Sequence, residues 1–183
     1  SKILKVFGDS GVTSVYNVDS AVAMWEQTQK FIQKAKNGQK VKGVFTDPNT
    51  AIKCGRKKKK VMYLTNARLN EANARANAEL AFYADSGKLF GVKEYADAIE
   101  QQFIARDMKW NFNHNLIGVD LNKKIATFNK HWQEKGAFDK DLGEHETINK
   151  NMNVEVPFDL LHITPPQKAP DEIGKSAVGS AKG

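Results

Sequence analysis

Short apolar runs alternate along this chain with segments whose apolar residues recur at helical spacing. The predicted strands cover residues 41–46, 78–85 and 108–112, and the predicted helices cover residues 20–36, 57–72 and 93–106. The run 78–85 is almost continuously apolar, which is typical of a strand buried on both faces of a parallel sheet. With 183 residues the chain is long enough for one domain with a full hydrophobic core. The alternation therefore predicts an α/β fold with a parallel sheet.

The second half of the chain departs from this alternation. Residues 116–121 and 124–128 flank an Asn122-Lys123 turn and predict a β-hairpin. Residues 130–154 are charged and rich in Gly and Asn, and they predict an exposed loop or an extension of the hairpin. This part of the chain is therefore expected to lie outside the parallel sheet.

The chain then returns to the sheet, because residues 158–164 predict a buried strand that ends at Pro165 and Pro166. This order predicts a Rossmann-like domain of the FAD/NAD(P)-binding type, with a parallel sheet, helices on both faces and an inserted β-hairpin or meander. The predicted parts are a lead-in at 1–16, a βαβαβ core at 17–115, the hairpin and loop at 116–158, the returning strand at 159–166 and a polar tail or interdomain connector at 167–183.

The first strand-to-helix turn lacks the glycines of a Rossmann phosphate site. The G-x-G-x-x-G pattern lets the backbone approach a pyrophosphate, but the turn from Asp47 to Gly55 holds one glycine and, at Pro48, a proline. Asp85 follows the next predicted strand and could hold a ribose in a nicotinamide site. Without the glycine turn, it is predicted to cap a helix or a turn instead. A cysteine loop therefore stands where a cofactor loop would be expected.

Cys54 is the only cysteine of the chain, and it lies between a predicted strand and a predicted helix. A helix N-terminus and neighbouring cations favour an anion, so the thiolate of Cys54 should form more easily than that of a free cysteine. The alternative is that Cys54 is a small, half-buried apolar residue. A single cysteine excludes an internal disulfide and a multi-cysteine metal site.

The net charge of +7 does not by itself indicate a nucleic-acid partner. Residues 56–60 supply five of the 28 positive charges, and aromatic residues are not interleaved with basic ones as a single-strand binding surface needs. We predict a solvated helix start at these lysines rather than a phosphate site. No apolar run reaches the length of a membrane span.

The four histidines do not show the spacing of a metal site. His114, His131 and His145 are predicted to face solvent, and His162, within the returning strand, is predicted to be a core residue. The sequence therefore predicts no metal centre.

Several motifs, in order along nearly the whole chain, closely resemble the central segment of type II sulfide:quinone oxidoreductases, the mitochondrial-like, FAD-dependent members of the pyridine nucleotide-disulfide oxidoreductase superfamily. They are Gly11-Val12-x-Ser14-Val15-Tyr16 with Trp25, Phe45-Thr46-x-Pro48-Asn49-Thr50-x-Ile52-Lys53-Cys54, Lys60-Val61-Met62-Tyr63-Leu64, Phe90-Gly91-Val92-Lys93-x-Tyr95-Ala96-Asp97-Ala98, Asn115-Leu116-Ile117-x-Val119 and Leu161-His162-x-Thr164-Pro165-Pro166. The resemblance implies that residues 1–166 are an excised central, NAD-domain-like segment of such a flavoprotein.

The resemblance also implies the chemistry. It makes Cys54 a redox cysteine that works beside FAD with a second cysteine outside this chain. Sulfide attacks the cysteine disulfide and leaves a persulfide, and the released thiolate passes electrons to FAD and then to quinone. One departure concerns Gly55 and the basic residues after it, where the family usually has small residues and a proline. The geometry of this loop is therefore open.

The remaining implications concern binding residues and the parent enzyme. Thr164, Pro165 and Pro166 are expected near the flavin and quinone end, and Pro48, Asn49 and Lys53 in the loop beside Cys54. The parent is expected to be a peripheral protein of a bacterial or mitochondrial inner membrane, with an FAD domain before this segment and a membrane-binding region after it. The isolated segment is expected to be soluble and inactive and to hold no FAD.

Two other functions stay open from the sequence alone. One is an NAD(P)H-dependent flavoprotein reductase domain, which the missing glycine turn disfavours. The other is a non-enzymatic basic binding module that uses residues 56–60.

Overall fold

Strands and helices alternate through the first 111 residues, and an antiparallel unit follows them. The computed structural model describes residues 10–16, 18–50, 57–139, 143–167 and 170–174. The strands in these ranges are β1 (Val12–Thr13), β2 (Val41–Asp47), β3 (Ala78–Ala84), β4 (Met108–Asn111), β5 (His114–Asp120), β6 (Ile125–Asp139), β7 (Glu144–Pro157) and β8 (Leu160–His162). The helices are α1 (Val18–Lys36), α2 (Lys57–Glu71), α3 (Lys93–Ile104) and the short α4 (Asp171–Gly174), with a 3₁₀ turn at Arg75–Asn77.

Five strands form a parallel sheet in the order β1-β8-β2-β3-β4. From β2 the chain runs outward through β3 to β4, and it returns only with β8, on the other side of β2. The parallel pairing is in register, with Val44 opposite Ala81 on β3 and opposite Leu161 on β8. This confirms the predicted α/β class, the parallel sheet and the return of the chain to the sheet.

Helices α1, α2 and α3 cover one face of the parallel sheet. Alternate residues of β2 and β3, among them Phe45, Leu80 and Phe82, point to this face because side chains alternate along a strand. The buried residues that the helices contribute are Met24, Phe31, Ala35, Val61, Met62, Leu69 and Phe103. This face holds the larger hydrophobic core.

A three-stranded antiparallel sheet, in the order β5-β6-β7, covers the other face. Phe128 of β6 is fully buried and stacks on Tyr83 of β3, with 4.5 Å between ring centroids. Val44 and Leu161 contribute to the same core. The inserted antiparallel unit is thus confirmed, but the layering differs from the expected helices on both faces. Among the described residues, the second face is covered by the inserted sheet, because its inward side chains are apolar.

Residues 130–154, for which an exposed loop or a longer hairpin was predicted, are strand in most of the described positions. The pairing of β6 with β7 runs from Ile125 opposite Pro157 to Asp139 opposite Glu144, with one irregularity between Lys135 and Phe138. β5 pairs with β6 only as far as Lys130. The hairpin therefore continues beyond β5 as a two-stranded ribbon, which we call the β6–β7 arm (residues 130–139 and 144–152).

Two helix faces are more exposed than their spacing predicts. Helical spacing would place Val22, Trp25 and Leu64 on the inner faces of α1 and α2, but these residues are 59%, 48% and 65% exposed, whereas Met24 of α1 is buried. The Arg68 guanidinium lies over the Trp25 ring at 5.9 Å from its centroid. The apolar face of each helix is thus wider than the strip that packs on the sheet. Tyr95 and Ile104 of α3, also expected inside, are more than half exposed.

Candidate functional site

The carboxyl ends of β2 and β8 lie side by side, at the point where the strand order reverses. β2 leads to β3 on one side, and β8 occupies its other side. In open parallel sheets, ligands bind in the crevice outside the carboxyl ends at such a switch point. The segments that leave the sheet here are residues 47–50 and residues 163–167, which include five of the site residues expected from the sequence.

Two threonine hydroxyls join these two segments. The hydroxyl of Thr46 donates to the carbonyl of His162 over 3.2 Å and accepts from the backbone N–H of Thr164 over 3.1 Å. Further out, the backbone N–H of Gln167 donates to Oγ1 of Thr50 over 3.0 Å. We call this pair of segments the Thr46–Thr164 seam (residues 46–50 and 162–167). It places Pro48 and Asn49 at the same edge of the sheet as Thr164, Pro165 and Pro166.

Thr164 is the buried member of the seam. It is 2% exposed, and its Oγ1 has no hydrogen-bond partner among the described residues. Pro48 and Pro165 are half-buried, whereas Asn49 and Pro166 are exposed. The seam therefore presents a proline-rich surface above one buried hydroxyl.

Cys54 and Lys53 lie outside the described residues, as does the rest of the loop from residue 51 to residue 56. The structure fixes where this loop starts and ends, since Thr50 belongs to the seam and α2 begins at Lys57. Cys54 therefore precedes by three residues the N-terminus of a 15-residue helix. The electrostatic argument for its thiolate depends on this helix end.

Lys59, in the first turn of α2, corrects the prediction of a wholly solvated helix start. Its side chain is 4% exposed and its ammonium lies 5.1 Å from the centroid of the Phe82 ring, whereas Lys60 is exposed. Burial lowers the pKa of Lys59 from the usual 10.5 to about 8. The sequence did not single out Lys59, because a run of lysines is usually solvated.

The sequence predicted the position of His162 correctly and that of His114 wrongly. His162 is fully buried and stacks on Phe45, as expected of a core residue. His114 was expected in solvent but is 8% exposed, between Tyr83 and Phe128, and burial lowers its pKa. The aromatic residues of β3 and β6 explain this position.

Asp85, which was predicted to cap a helix or a turn, contacts a histidine of the inserted sheet. Its Oδ1 lies 3.1 Å from Nε2 of His131, so the two layers are joined at the carboxyl end of β3. His145, in the arm, is exposed as predicted. No group of His, Cys, Asp and Glu suited to a metal ion occurs in the part of the chain that the structure describes.

Within those residues, no helix is long and apolar enough to cross a membrane. This agrees with the lack of a long apolar run in the sequence.

Three curated relatives match most of this chain. It is 37% identical over 158 residues to the mitochondrial sulfide:quinone oxidoreductase of Mus musculus, an alignment that covers 86% of this chain and 31% of the relative. The enzyme of the same name from Dictyostelium discoideum is 30% identical over 159 residues, and that from Schizosaccharomyces pombe is 26% identical over 174 residues. No protein-family model matches the chain.

A solved structure shows the same fold. The crystal structure of the sulfide:quinone oxidoreductase from Aquifex aeolicus matches 92% of this chain and 34% of its own chain, with a TM-score of 0.60 and 16% sequence identity. The chain thus spans about a third of the length of the relatives that it matches. Along nearly its whole length, it is related in sequence and fold to one segment of the sulfide:quinone oxidoreductases.

Proposed function

We propose that this chain acts as one segment of an FAD-dependent sulfide:quinone oxidoreductase, and that Cys54 is a redox cysteine of that enzyme. The observation that carries the proposal is the Thr46–Thr164 seam. Two motifs separated by more than 100 residues meet at the switch point of the sheet, where a ligand of this fold class is expected. The relatedness to enzymes of that name over 86% of this chain supports the same function.

The cysteine chemistry requires a partner from outside residues 1–183, because Cys54 is the only cysteine of the chain. In the proposed step, hydrosulfide attacks one sulfur of the disulfide between Cys54 and that partner. An S–S bond forms between sulfide and this cysteine, the original S–S bond breaks, and the other cysteine leaves as a thiolate. The sulfur product remains as a persulfide, and the two electrons are carried by the released thiolate.

The first turn of α2 would favour the thiolate form of Cys54. The helix N-terminus contributes a partial positive charge, and the buried ammonium of Lys59 lies in the same turn. Both charges would lower the free energy of the Cys54 thiolate relative to that of the neutral Cys54 thiol. A thiolate is the reactive form in disulfide exchange.

In this proposal the seam lies against the edge of a flavin ring. Thr164 offers a buried hydroxyl without a partner among the described residues, and Pro165 and Pro166 offer a surface that lacks N–H groups. Thr164, Pro165 and Pro166 would therefore hold the ring, and Pro48, Asn49 and Lys53 would shape the approach to Cys54. When bound, FAD would supply a two-electron acceptor for the thiolate and a donor for quinone.

The substrates proposed for the whole enzyme are sulfide and quinone. An FAD domain and a membrane-binding region, both outside this chain, would complete it, so that the enzyme works as a peripheral protein of an energy-conserving membrane. We further propose that residues 1–166 form the central domain and that residues 167–183 connect it to the rest. On this account the chain alone does not turn over.

The test is sulfide-dependent reduction of a soluble quinone by the full-length protein that contains this chain. Wild type should turn over, and Cys54→Ser should lose activity while retaining FAD. The matched control is Ser86→Ala, which changes a hydroxyl on an exposed turn after β3 and should leave turnover unchanged. Turnover by the Cys54→Ser protein at the wild-type rate would remove Cys54 from the mechanism. Turnover with NADH or NADPH in place of sulfide would favour the flavoprotein reductase alternative.

A further inference from the structure

The β6–β7 arm has one face that mixes apolar with charged residues and one face that is polar. Across the two strands, Trp132 lies opposite Lys150 and Glu134 opposite Ile148. Because side chains alternate along a strand, these residues share a face with the buried Phe128 and the half-buried Val154, further along the same hairpin. The inward face of the inserted sheet thus continues into the arm beyond the parallel sheet, where Ile148 is 40% exposed.

The opposite face of the arm is polar and includes several amides. Asn129 Nδ2 donates to Asn151 Oδ1 over 3.3 Å, and Gln133 Nε2 donates to Asn149 Oδ1 over 3.1 Å. These cross-strand bonds suit a face that remains in water. The two faces therefore differ in polarity.

The outer edge of β7 has no neighbouring strand in the described part of the chain. The inserted sheet is ordered β5-β6-β7, so β7 pairs with β6 on one side only. Its 14 residues contain no proline before Pro157. A long strand of this kind presents a row of backbone N–H and C=O groups that can pair with another chain. The arm is also only two strands wide beyond Lys130, and a two-stranded ribbon is marginally stable in water.

We propose that β7 pairs antiparallel with β7 of a second copy of this chain, about a two-fold axis through Ile148. In this register, Ile148 of each copy lies opposite Ile148 of the other. Glu146 lies opposite Lys150 on both sides of the axis, and Thr147 lies opposite Asn149. Each surface is therefore its own complement, as a two-fold interface requires.

The charges select this register. An odd shift places the face that carries Ile148, Glu146 and Lys150 in one arm beside the polar face of the other, because the side-chain period along a strand is two. A shift of two residues places Ile148 opposite Glu146 in one direction and opposite Lys150 in the other. Only the proposed register combines an apolar pair at the axis with two flanking pairs of opposite charge, which are the cross-strand pairs that stabilise antiparallel sheets.

The pairing would also address the marginal stability of the arm. Two arms joined through β7 make a four-stranded ribbon, and Ile148 and Met152 of both copies then lie on one continuous face. This interaction does not depend on the redox chemistry proposed for Cys54. Because the register is self-complementary, the occupant proposed for the β7 edge is a second copy of the same chain.

The experiment is sedimentation equilibrium of the 183-residue chain and of two variants. One variant reverses the charge at Lys150, and the other reverses the charges at both Glu146 and Lys150. Wild type should dimerise in a concentration-dependent manner. Lys150→Glu places a second carboxylate opposite Glu146 and should weaken dimerisation at least about tenfold. The double variant Glu146→Lys/Lys150→Glu restores opposite charges with the order reversed and should recover the dimer.

The control is Lys123→Glu, which makes the same charge change in the turn at the other end of the hairpin and should leave dimerisation unchanged. Circular dichroism of each variant checks that the fold is retained. A wild type that stays monomeric would overturn the proposal, whether its β7 edge is open or taken by another protein. So would a dimer that is insensitive to Lys150→Glu, or a double variant that dimerises no better than Lys150→Glu alone.

Discussion

The Thr46 hydroxyl accepts a hydrogen bond from the backbone N–H of Thr164 over 3.1 Å, across 118 residues of sequence. The same hydroxyl donates to the carbonyl of His162. One side chain at the end of β2 thus fixes the point at which the chain leaves β8. Because Thr46 is 2% exposed, water does not replace it readily.

Replacing Thr46 should therefore loosen the seam. Thr46→Val keeps the shape of the side chain but leaves the Thr164 N–H buried and unpaired, at a cost of about 1–3 kcal/mol in the free energy of unfolding. Thr46→Ser retains the hydroxyl and should cost about 1 kcal/mol, for one lost methyl group. Urea unfolding of the three proteins measures both values. If the valine variant were as stable as the serine variant, the hydrogen bond would contribute nothing.

Comparing Gly11 with Gly38 tests how closely the backbone before β1 packs against Asp159. Both have positive φ angles, +80° and +85°, but a Cβ on Gly11 would clash with the backbone carbonyl of Asp159, whereas one on Gly38 would meet nothing within 4 Å. Gly38→Ala should cost about 1–2 kcal/mol from the left-handed conformation alone. Gly11→Ala should cost about 1–3 kcal/mol more because the clash is with backbone. Equal losses in thermal or urea unfolding would contradict the close approach at Gly11.

The buried ammonium of Lys59 should make stability depend on pH. Its pKa is about 8 in the folded chain and near 10.5 when exposed, so the unfolded chain binds the proton more tightly between these values. Stability contributed by this group therefore rises with pH from 8 to 10.5, by up to about 3 kcal/mol in total.

Lys59→Met measures this effect, because other lysines contribute equally to both proteins. The variant should be more stable than wild type at pH 7, and the difference should shrink as the pH rises to 10.5. The exposed Lys60→Met variant is the control and should show no such trend. A difference between Lys59→Met and wild type that does not change with pH would show that Lys59 titrates normally.

Phe128 tests the packing of the inserted sheet on the parallel sheet. Its ring is fully buried against Tyr83, so Phe128→Ala should cost about 3–5 kcal/mol. Ile117, in the same inserted sheet, is 52% exposed, and Ile117→Ala should change stability by less than about 0.5 kcal/mol. Chemical denaturation followed by circular dichroism gives both values. Similar losses at the two positions would argue against a buried interface between the sheets.

The elements that pack against the core were predictable from the sequence. The apolar run at 78–85 predicted β3 to within one residue, and the helix at 57–72 predicted α2 equally well. The run is almost continuously apolar because both faces of β3 are covered, and the apolar residues of α2 recur at helical spacing because one side of this helix packs on the sheet. The return of β8 was also predicted, because Pro165 and Pro166 end an apolar run.

The arm and the site details were not predictable in the same way. Within residues 130–138 and 143–152 almost no side chains are buried, so no apolar alternation distinguishes these strands from a loop. The seam depends on Thr46 and Thr50, and a threonine at the end of a strand gives no sequence signal of what its hydroxyl bonds. Lys59 was missed because burial of a lysine depends on the shape of the core around Phe82.

The most direct measurement is the rate at which sulfide bleaches the flavin absorbance of the full-length protein, followed by rapid mixing without quinone. The account predicts fast bleaching of wild type and none of Cys54→Ser, while dithionite bleaches both and so shows that the flavin is bound and reducible. Bleaching of the Cys54→Ser protein by sulfide at the wild-type rate would contradict the central claim that Cys54 carries electrons from sulfide to the flavin.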